Sequence, residues 1–232
     1  MPYHERPTPV AGAVLWRRSV GSTPELARIL PDGCLDLLWD GRRLFIAGPD
    51  TVARRHQSDA GASYVGLRFS GGSGPALLGV PADKVRDQTP NLAELWPARR
   101  ARLLAEQVAE NPEAALEAWL IERARSSEVD PLGPRVLGLA AAGTPIAVMA
   151  ERLGLSPRHL YRRCLPIFGY GPRRLARVLR LSRAVGEVRL GLPLAQVAAG
   201  CGYVDQAHLS REMRALAKTT PGGLLREQVS EH

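Results

Sequence analysis

Two short segments in the C-terminal part of the chain are rich in side chains that can hydrogen-bond to the edges of nucleic-acid bases. An arginine fork can donate twice to guanine O6 and N7, and a glutamine amide can pair with adenine. The candidate base-reading residues are Arg158, His159, Tyr161 and Arg162 in the first segment and Gln206, His208 and Arg211 in the second. Such chemistry requires each set to project from one exposed face of a rigid element.

A repeated helix pattern supplies two such elements. The apolar positions Ile146, Met149, Ala150 and Leu153 have helical spacing, and they recur 48 positions on as Leu194, Val197, Ala198 and Cys201. Each helix follows a proline and is stopped by a glycine, Gly154 or Gly202. Glycine can adopt the left-handed conformation that a sharp turn needs.

A second helix is predicted after each turn, and we call these the first and second reading helices. Their buried faces are predicted to hold Leu160, Cys164, Ile167 and Phe168 and, 49 positions on, Leu209, Met213, Leu216 and Ala217. The change of offset from 48 to 49 indicates a single insertion after the turn. Helix, glycine turn and helix is the pattern of a helix-turn-helix, whose second helix can enter the DNA major groove.

The starts of both reading helices are also predicted. Ser156, followed by Pro157, and Asp205 are N-cap candidates. The unpaired amide groups at such a helix start favour a phosphate. Pro166 predicts that the first reading helix kinks or ends near Leu165, because the proline ring clashes with the carbonyl four residues back.

Positive charge is concentrated in this part of the chain. Residues 1–130 carry 16 Lys and Arg against 17 Asp and Glu, whereas the remainder carries 15 against 6. From Arg152 to Arg183 there are nine arginines and no acid, as expected of a surface that meets phosphate. A solvated basic face explains this concentration less well. The predicted phosphate contacts are Ser156, Arg163, Arg173, Arg174, Arg177, Arg180, Asp205 and Arg214.

The N-terminal half is predicted to be rich in strands, with helices after them. Helical spacing begins near residue 76. One helix is predicted over 98–109, with Leu103 facing inward, and the next is predicted to start at Asn111-Pro112. Strand patterns cover 11–19, 25–30 and 64–69, and a hairpin joins 34–39 to 44–47.

The resulting fold class has two parts. Residues 1–127 are predicted to form an α+β domain, β-rich and barrel-like and followed by helices. Residues 135–228 are predicted to form an all-α domain with two helix-turn-helix units joined by a linker helix. The polar segment 128–134, with its prolines and glycine, is the predicted linker.

Composition excludes several classes of protein. The 232 residues suffice for two modest domains with buried cores. Three widely spaced cysteines without a Cys-x-x-Cys pair predict no disulfide framework and no metal site, and we expect no cofactor. No apolar run of about 18 residues and no signal-peptide pattern occurs. We therefore expect a cytoplasmic, nucleoid-associated protein with no membrane partner.

The C-terminal region resembles the AraC/XylS family of bacterial transcription regulators. The resemblance lies in segments 155–163, 180–184 and 202–211, with Gly171-Pro172 and Thr220-Pro221 at the family's spacing. It covers roughly the last hundred residues. This sequence departs from the family at Cys164 and Met213, where phenylalanine is usual, and at Lys218, where glycine is common.

The resemblance implies two helix-turn-helix units, held by a linker helix, that enter successive major-groove segments on one face of double-stranded DNA. It implies base contacts by Arg158, Tyr161 and Arg162 and by Gln206, His208 and Arg211. Further candidate partners are RNA polymerase, an unidentified small-molecule effector and a second copy of the chain. Segments 30–37 and 47–49 resemble, more loosely, the β-rich domains that precede this module and that sense effectors or dimerise.

Two alternatives remain at this point. The chain could be a DNA repair or modifying enzyme that uses the module for targeting, with Cys34 as a reactive thiol, although no His or Cys lies near it in sequence. The first domain could instead serve only for dimerisation or partner docking. Asp36 and His56 lack a third ligand for a metal, so a structural aspartate beside a turn is the better interpretation.

Overall fold

The computed structural model describes the backbone of residues 3–229 and the side chains of residues 3–227. Within that range no helix is both long enough and apolar enough to cross a membrane. The N-terminal part contains two antiparallel sheets followed by helices, and the C-terminal part is helical, so the predicted fold class is confirmed. The strands are β1 (His4–Pro7), β2 (Ala13–Ser19), β3 (Glu25–Ile29), β4 (Leu35–Trp39), β5 (Leu44–Ala47), β6 (Arg54–Ser58) and β7 (Ser63–Phe69).

The larger sheet has the order β1-β2-β7-β4-β5, and β3 pairs with β6 in a separate two-stranded sheet. In its three central strands Leu15 lies opposite Leu67, and Leu67 lies opposite Leu37. All three side chains are buried in the core of this domain. Because side chains alternate along a strand, this register turns one face of the sheet toward the helices that follow.

The predicted hairpin of β4 and β5 is confirmed. Gly41 adopts a φ of 87° in its turn, and the Asp40 carboxylate accepts hydrogen bonds from the backbone of Arg42 and Arg43. The sequence did not predict β1 and β6, whose residues are mostly polar. Strands of this composition lack the apolar alternation that makes a strand visible in sequence.

The N-terminal part continues with five helices. Asn111 caps the last of them by accepting a hydrogen bond from the Ala114 amide, as predicted. Leu103 is 47% exposed, so its predicted inward position is wrong, and Ala101, Leu104 and Val108 form the buried face instead. The helices are α1 (Gly74–Leu78), α2 (Ala82–Val85), α3 (Leu92–Leu95), α4 (Ala98–Glu110) and α5 (Pro112–Ser126).

The C-terminal part contains both predicted pairs of helices. A π-helical turn at Met213–Ala217 extends the second reading helix. The connection from the N-terminal part is residues 127–131, so α6 begins inside the segment 128–134 that we predicted as linker. The helices are α6 (Leu132–Ala141), α7 (Ile146–Arg152), α8 (Pro157–Phe168), α9 (Pro172–Arg189), α10 (Leu194–Gly200), α11 (Gln206–Glu212) and α12 (Pro221–Val229).

Each helix-turn-helix unit has its own core, and the linker helix α9 contributes to both. Leu175 and Val178 pack in the first core, whereas Leu181 and Val185 pack in the second. Ser182, next to Leu181 on the same helix, is exposed. Since α9 is one continuous helix that packs in both cores, it sets the separation of the two units.

Pro166 does not end the first reading helix, so the prediction that the helix ends near Leu165 is wrong. Helix α8 continues to Phe168 and is capped by Gly169, whose amide donates to the Leu165 carbonyl. The two residues after the proline, Ile167 and Phe168, are buried in the first core. Their burial offsets the loss of one helical hydrogen bond near the helix end.

The N-terminal part packs against both helix-turn-helix units. The Arg86 guanidinium donates to the Gly169 carbonyl at 2.9 Å, at the end of α8. The Ala53 amide donates to the Leu216 carbonyl at 2.6 Å, at the end of the second reading helix. Leu30 and Val52 pack against the second core. The β-rich part therefore bridges the two units on the side where their reading helices end.

Replacing Lys218 by glycine should stabilise the protein. Lys218 has a φ of 55° after the π-helical turn, and a left-handed non-glycine residue costs about 1 kcal/mol. We expect Lys218→Gly to raise the free energy of unfolding by roughly 0.5 kcal/mol or more, measured by urea denaturation. Lys218→Ala keeps the backbone strain and should show no gain. An equal gain in both variants would assign the effect to charge removal.

Candidate nucleic-acid interface

The first reading helix presents its predicted polar face to solvent. The Ser156 hydroxyl accepts a hydrogen bond from the His159 amide at 3.2 Å, so the predicted N-cap is confirmed. Leu160 and Cys164 are fully buried. The side chains on the other side, Arg158, His159, Tyr161 and Arg162, are all exposed. The absence of phenylalanine at Cys164 therefore leaves the burial pattern of the helix unchanged.

Tyr161 is fixed against the start of the linker helix. Its ring covers Gly171 so closely that a Cβ atom at Gly171 would lie 2.3 Å from it. The side chain remains 52% exposed. A ring held on one face and open on the other has little rotamer freedom to lose on binding, and it is a rigid surface for a base or sugar to contact.

The second reading helix is capped in the same way, but one of its predicted readers is engaged internally. The Asp205 carboxylate accepts a hydrogen bond from the His208 amide at 2.5 Å. Gln206 and Arg211 are exposed. The His208 ring is half-buried, stacks edge-on against Tyr203 and accepts a hydrogen bond from the Val204 amide at 3.3 Å. His208 thus contributes to the turn as well as to the helix surface.

Several of the predicted phosphate contacts have partners within the chain. Arg163 pairs with Asp130 at 2.7 Å, and Arg177 makes two hydrogen bonds to Glu212, at 2.8 and 3.2 Å. Arg174 donates to the Thr51 carbonyl and Arg180 to the Gly202 carbonyl, with the Arg180 guanidinium 4.7 Å above the Tyr203 ring. These contacts fix the direction of the Arg163 side chain on α8 and of the other three side chains on α9, and they leave further N–H donors on each guanidinium. Arg173 and Arg214 are exposed.

Two adjoining grooves, with volumes of about 1120 and 720 Å³, follow the linker helix between the two units. They share Ile146, Arg173 and Arg177 as lining residues. Glu212 is the sole acid among the described residues that line them. The arginines that line one or both grooves are Arg86, Arg173, Arg174, Arg177, Arg180 and Arg183. A concave surface with this charge focuses a strongly positive potential.

Two of these arginines were not among the predicted phosphate contacts. Arg183 continues the three-residue spacing of arginines along α9 and ends the acid-free basic segment of the sequence. Arg86 lies in the N-terminal part and reaches the groove only because α2 packs on α8. No local pattern marks such a residue, because its position depends on a contact between distant segments.

The N-terminal part contains a polar cluster of its own. Asp36 accepts hydrogen bonds from Trp16 Nε1 at 2.9 Å and from Arg68 Nε at 3.2 Å, and burial raises its pKa to about 6. His56 contacts the Tyr64 hydroxyl at 3.2 Å. Among residues 3–229 no group of three or more His, Cys, Asp or Glu side chains could hold a metal ion. The bonding supports the interpretation of Asp36 as a structural aspartate.

Arg28 connects this part to the second reading helix. Its side chain is 10% exposed, donates to both Glu227 carboxylate oxygens at 2.5 and 2.8 Å, and donates to the Ala217 and Lys218 carbonyls at 3.2 Å. These carbonyls end the π-helical turn, where a helix lacks internal donors. Arg28 therefore caps the second reading helix from a strand of the N-terminal part.

Replacing Arg28 by alanine should destabilise the protein in a pH-dependent way. We expect the free energy of unfolding to fall by about 1–2 kcal/mol at pH 7. The expected loss is no larger because the Glu227 side chain is 38% exposed and solvent screens the ion pair. The hydrogen bond from Arg28 lowers the pKa of Glu227 in the folded protein. The ion pair therefore stabilises the fold fully above the pKa of Glu227 in the unfolded chain, about 4.3, and this stabilisation is lost as the pH falls through the pKa of Glu227 in the folded protein. Urea denaturation at pH 7 and pH 3 measures this. A difference that stays constant with pH would contradict the ion pair.

Comparison with known proteins agrees with this geometry. Residues 149–227 match a family model described as a helix-turn-helix domain, and residues 13–91 match a domain of unknown function, DUF6597. No curated protein matches the chain.

Solved structures give remote similarities. ToxT of Vibrio cholerae O395 is 12% identical over 93% of this chain and 96% of its own, with a TM-score of 0.46. ToxT of V. cholerae strain SCE256 with bound unsaturated fatty acid is 14% identical over 95% and 96% of the two chains, with a TM-score of 0.49. A probable AraC family transcriptional regulator from Rhodopseudomonas palustris CGA009 is 22% identical over 40% of this chain and 92% of its own, with a TM-score of 0.35.

The family models carry the assignment, and they confirm the resemblance found in the sequence. The C-terminal part of the chain is a helix-turn-helix domain of the AraC type, which is found in DNA-binding transcription regulators. It is preceded by a domain whose family has no assigned function.

Proposed function

We propose that this protein is a non-catalytic, sequence-specific regulator that binds an asymmetric double-stranded DNA site with two unlike elements. One observation carries the proposal. Two capped helices expose different sets of hydrogen-bonding side chains, and both are fixed to the ends of one arginine-rich linker helix. Because the units differ in sequence and follow each other head to tail, their elements should lie about one helical turn of DNA apart.

The exposed side chains have two roles in this proposal. Arg158, Tyr161 and Arg162 select bases in one element, and Gln206 and Arg211 select bases in the other. His159 and His208 add contacts at the same helix starts. The capped helix starts at Ser156 and Asp205, and the arginines that line the grooves, position the protein on phosphates without selecting sequence. The predicted phosphate contacts that line the grooves are Arg173, Arg174, Arg177 and Arg180. Arg163 and Arg214, which lie outside the grooves, are proposed to contact phosphate as well.

The test is selection from a randomised double-stranded DNA library by the full-length protein, across a series of salt concentrations. We expect a motif of two unlike elements about one turn apart, and a log-log salt slope near −0.9 for each phosphate contact. Sequence-independent binding at every salt concentration would refute the proposed specificity and leave a general DNA-docking surface.

The alternative, an enzyme with Cys34 as nucleophile, predicts a reactive Cys34 thiol in the native protein. Burial and the neighbouring Asp32 and Asp36 carboxylates raise the pKa of the Cys34 thiol well above its usual range. Since the thiolate is the reactive form, we expect the native protein to react with a thiol reagent at pH 8 far more slowly than the urea-unfolded protein. Rapid modification of Cys34 in the native state would favour the enzyme.

The N-terminal domain, in this proposal, sets the relative position of the two units through its contacts with α8 and with the second reading helix. A cavity of about 570 Å³ between this domain and α9 is the proposed place for a small-molecule effector. The ion pairs of Arg54 with Asp50 and of Arg68 with Asp36 contribute to its polar wall. RNA polymerase and a second copy of the chain remain predicted partners, and sedimentation of the full-length protein at several concentrations tests the second.

A further inference from the structure

The two helix-turn-helix units differ in length by one residue, and that residue is Val204. Leu155 and Tyr203 each follow a turn glycine, and their amides donate to the carbonyl five residues back at 2.9 and 2.8 Å. In the first unit the N-cap, Ser156, follows at once, whereas in the second the N-cap is Asp205. Val204 is therefore the insertion behind the change of repeat offset, and the first unit has no counterpart to it.

Val204 adds nothing to the core of its unit. Its side chain is 86% exposed, although it is apolar and β-branched. The backbone on both sides is fixed, because Tyr203 is buried and the Val204 amide donates to the His208 ring. The Asp205 cap holds the next residue in place. The inserted side chain is thus presented outward on a rigid turn, directly before the second reading helix.

The chemistry of the major groove suggests what this side chain meets. The amino end of a reading helix lies nearest to the base edges, and the thymine C5 methyl is the apolar group displayed on those edges. Gln206 and Arg211 present only polar ends to the same region. We propose that Val204 contacts a thymine methyl group in the DNA element bound by the second unit, and so determines specificity there. This inference rests on the proposed function.

The expected effect is modest and measurable. Burial of one methyl group contributes about 0.8 kcal/mol, which corresponds to roughly a fourfold change in affinity at 25 °C. Removal of the methyl from the DNA and removal of the isopropyl group from the protein should each cost about this factor. The two losses should not add, because both remove the same contact.

The experiment uses the full-length protein and duplexes that carry the selected site. Each thymine of the second element is replaced in turn by deoxyuridine, which lacks only the C5 methyl. At one thymine we expect wild-type protein to lose about fourfold in affinity, and Val204→Ser to be insensitive to the replacement there. Val204→Thr keeps the branched shape and one methyl, and should fall between them. Leu190→Ser, at an 81% exposed leucine after α9, should behave like the wild type.

Two results would overturn the inference. One is an equal loss for wild type and Val204→Ser at every thymine, and the other is an element in which no thymine methyl affects wild-type binding. Either could occur while the selected two-element motif stands, so the proposed function would survive. A selection that yields no motif would refute the proposed function itself and the role of Val204 with it.

Discussion

Replacing Arg162 by alanine should remove the base preference that this residue supplies in one element of the DNA site, and replacing Arg211 should do the same in the other. Both side chains are exposed on capped helices, so neither change should affect folding. A bidentate contact from arginine to guanine contributes about 1–3 kcal/mol of discrimination, which is roughly 5- to 150-fold in affinity. Selection from a randomised library with each variant should return a motif that is degenerate in one element only.

A second class of arginine is the control for this result. Arg173 lines both grooves and is exposed. We expect Arg173→Ala to weaken binding equally on specific and random DNA and to reduce the salt slope by about 0.9. Arg102, in α4 of the N-terminal domain, should have no effect when replaced. If Arg162→Ala and Arg211→Ala behave like Arg173→Ala, both residues contact phosphate and the specificity lies elsewhere on the helices.

The features of the interface that were predictable from sequence are local ones. The caps at Ser156 and Asp205 depend on a side chain and an amide three residues apart, so their sequence signals are complete. The repeated apolar spacing likewise places Leu160 and Leu209 in their cores. Even the departure at Lys218 leaves the turn in place, since the backbone adopts the left-handed conformation there.

What the sequence did not reveal depends on contacts between distant segments. Pro166 was expected to kink or end its helix near Leu165, but the helix continues to Phe168, and the residues after the proline are buried. Strand β6 has the sequence Arg-Arg-His-Gln-Ser and is a strand only because β3 pairs with it. Arg86 joins the basic groove because α2 packs on α8. In each case a tertiary contact outweighs the local signal.

A close approach of two backbone segments within the N-terminal domain makes a second strong prediction, at Gly48. This glycine follows β5, and a Cβ atom added to it would lie 1.7 Å from the Val85 carbonyl oxygen at the end of α2. The Gly48 amide donates to the Gln88 carbonyl at 3.0 Å, so the backbone segment is held on that side as well. No side-chain rotation can relieve a clash between a Cβ atom and backbone. Gly48→Ala must therefore displace α2 or the end of β5.

We expect Gly48→Ala to lower the free energy of unfolding by at least about 3 kcal/mol. Urea denaturation followed by fluorescence measures this, because all four tryptophans lie between residues 16 and 119, in the N-terminal domain. Gly21→Ala is the matched control, since nothing lies within 4 Å of a Cβ atom there, and it should remain within about 0.5 kcal/mol of the wild type. Similar stabilities for the two variants would contradict the close approach of the two backbones.

The same variant reports on the coupling between the domains. Helix α2 packs on α8, and Arg86, one residue past α2, holds the Gly169 carbonyl at the end of that helix. Displacement of α2 should therefore loosen the end of the first reading helix while leaving its capped start exposed. We expect Gly48→Ala to weaken binding to the first DNA element more than to the second, whose helix is held instead by Arg28. An equal loss at both elements would show that the N-terminal domain acts on the linker helix rather than on each unit separately.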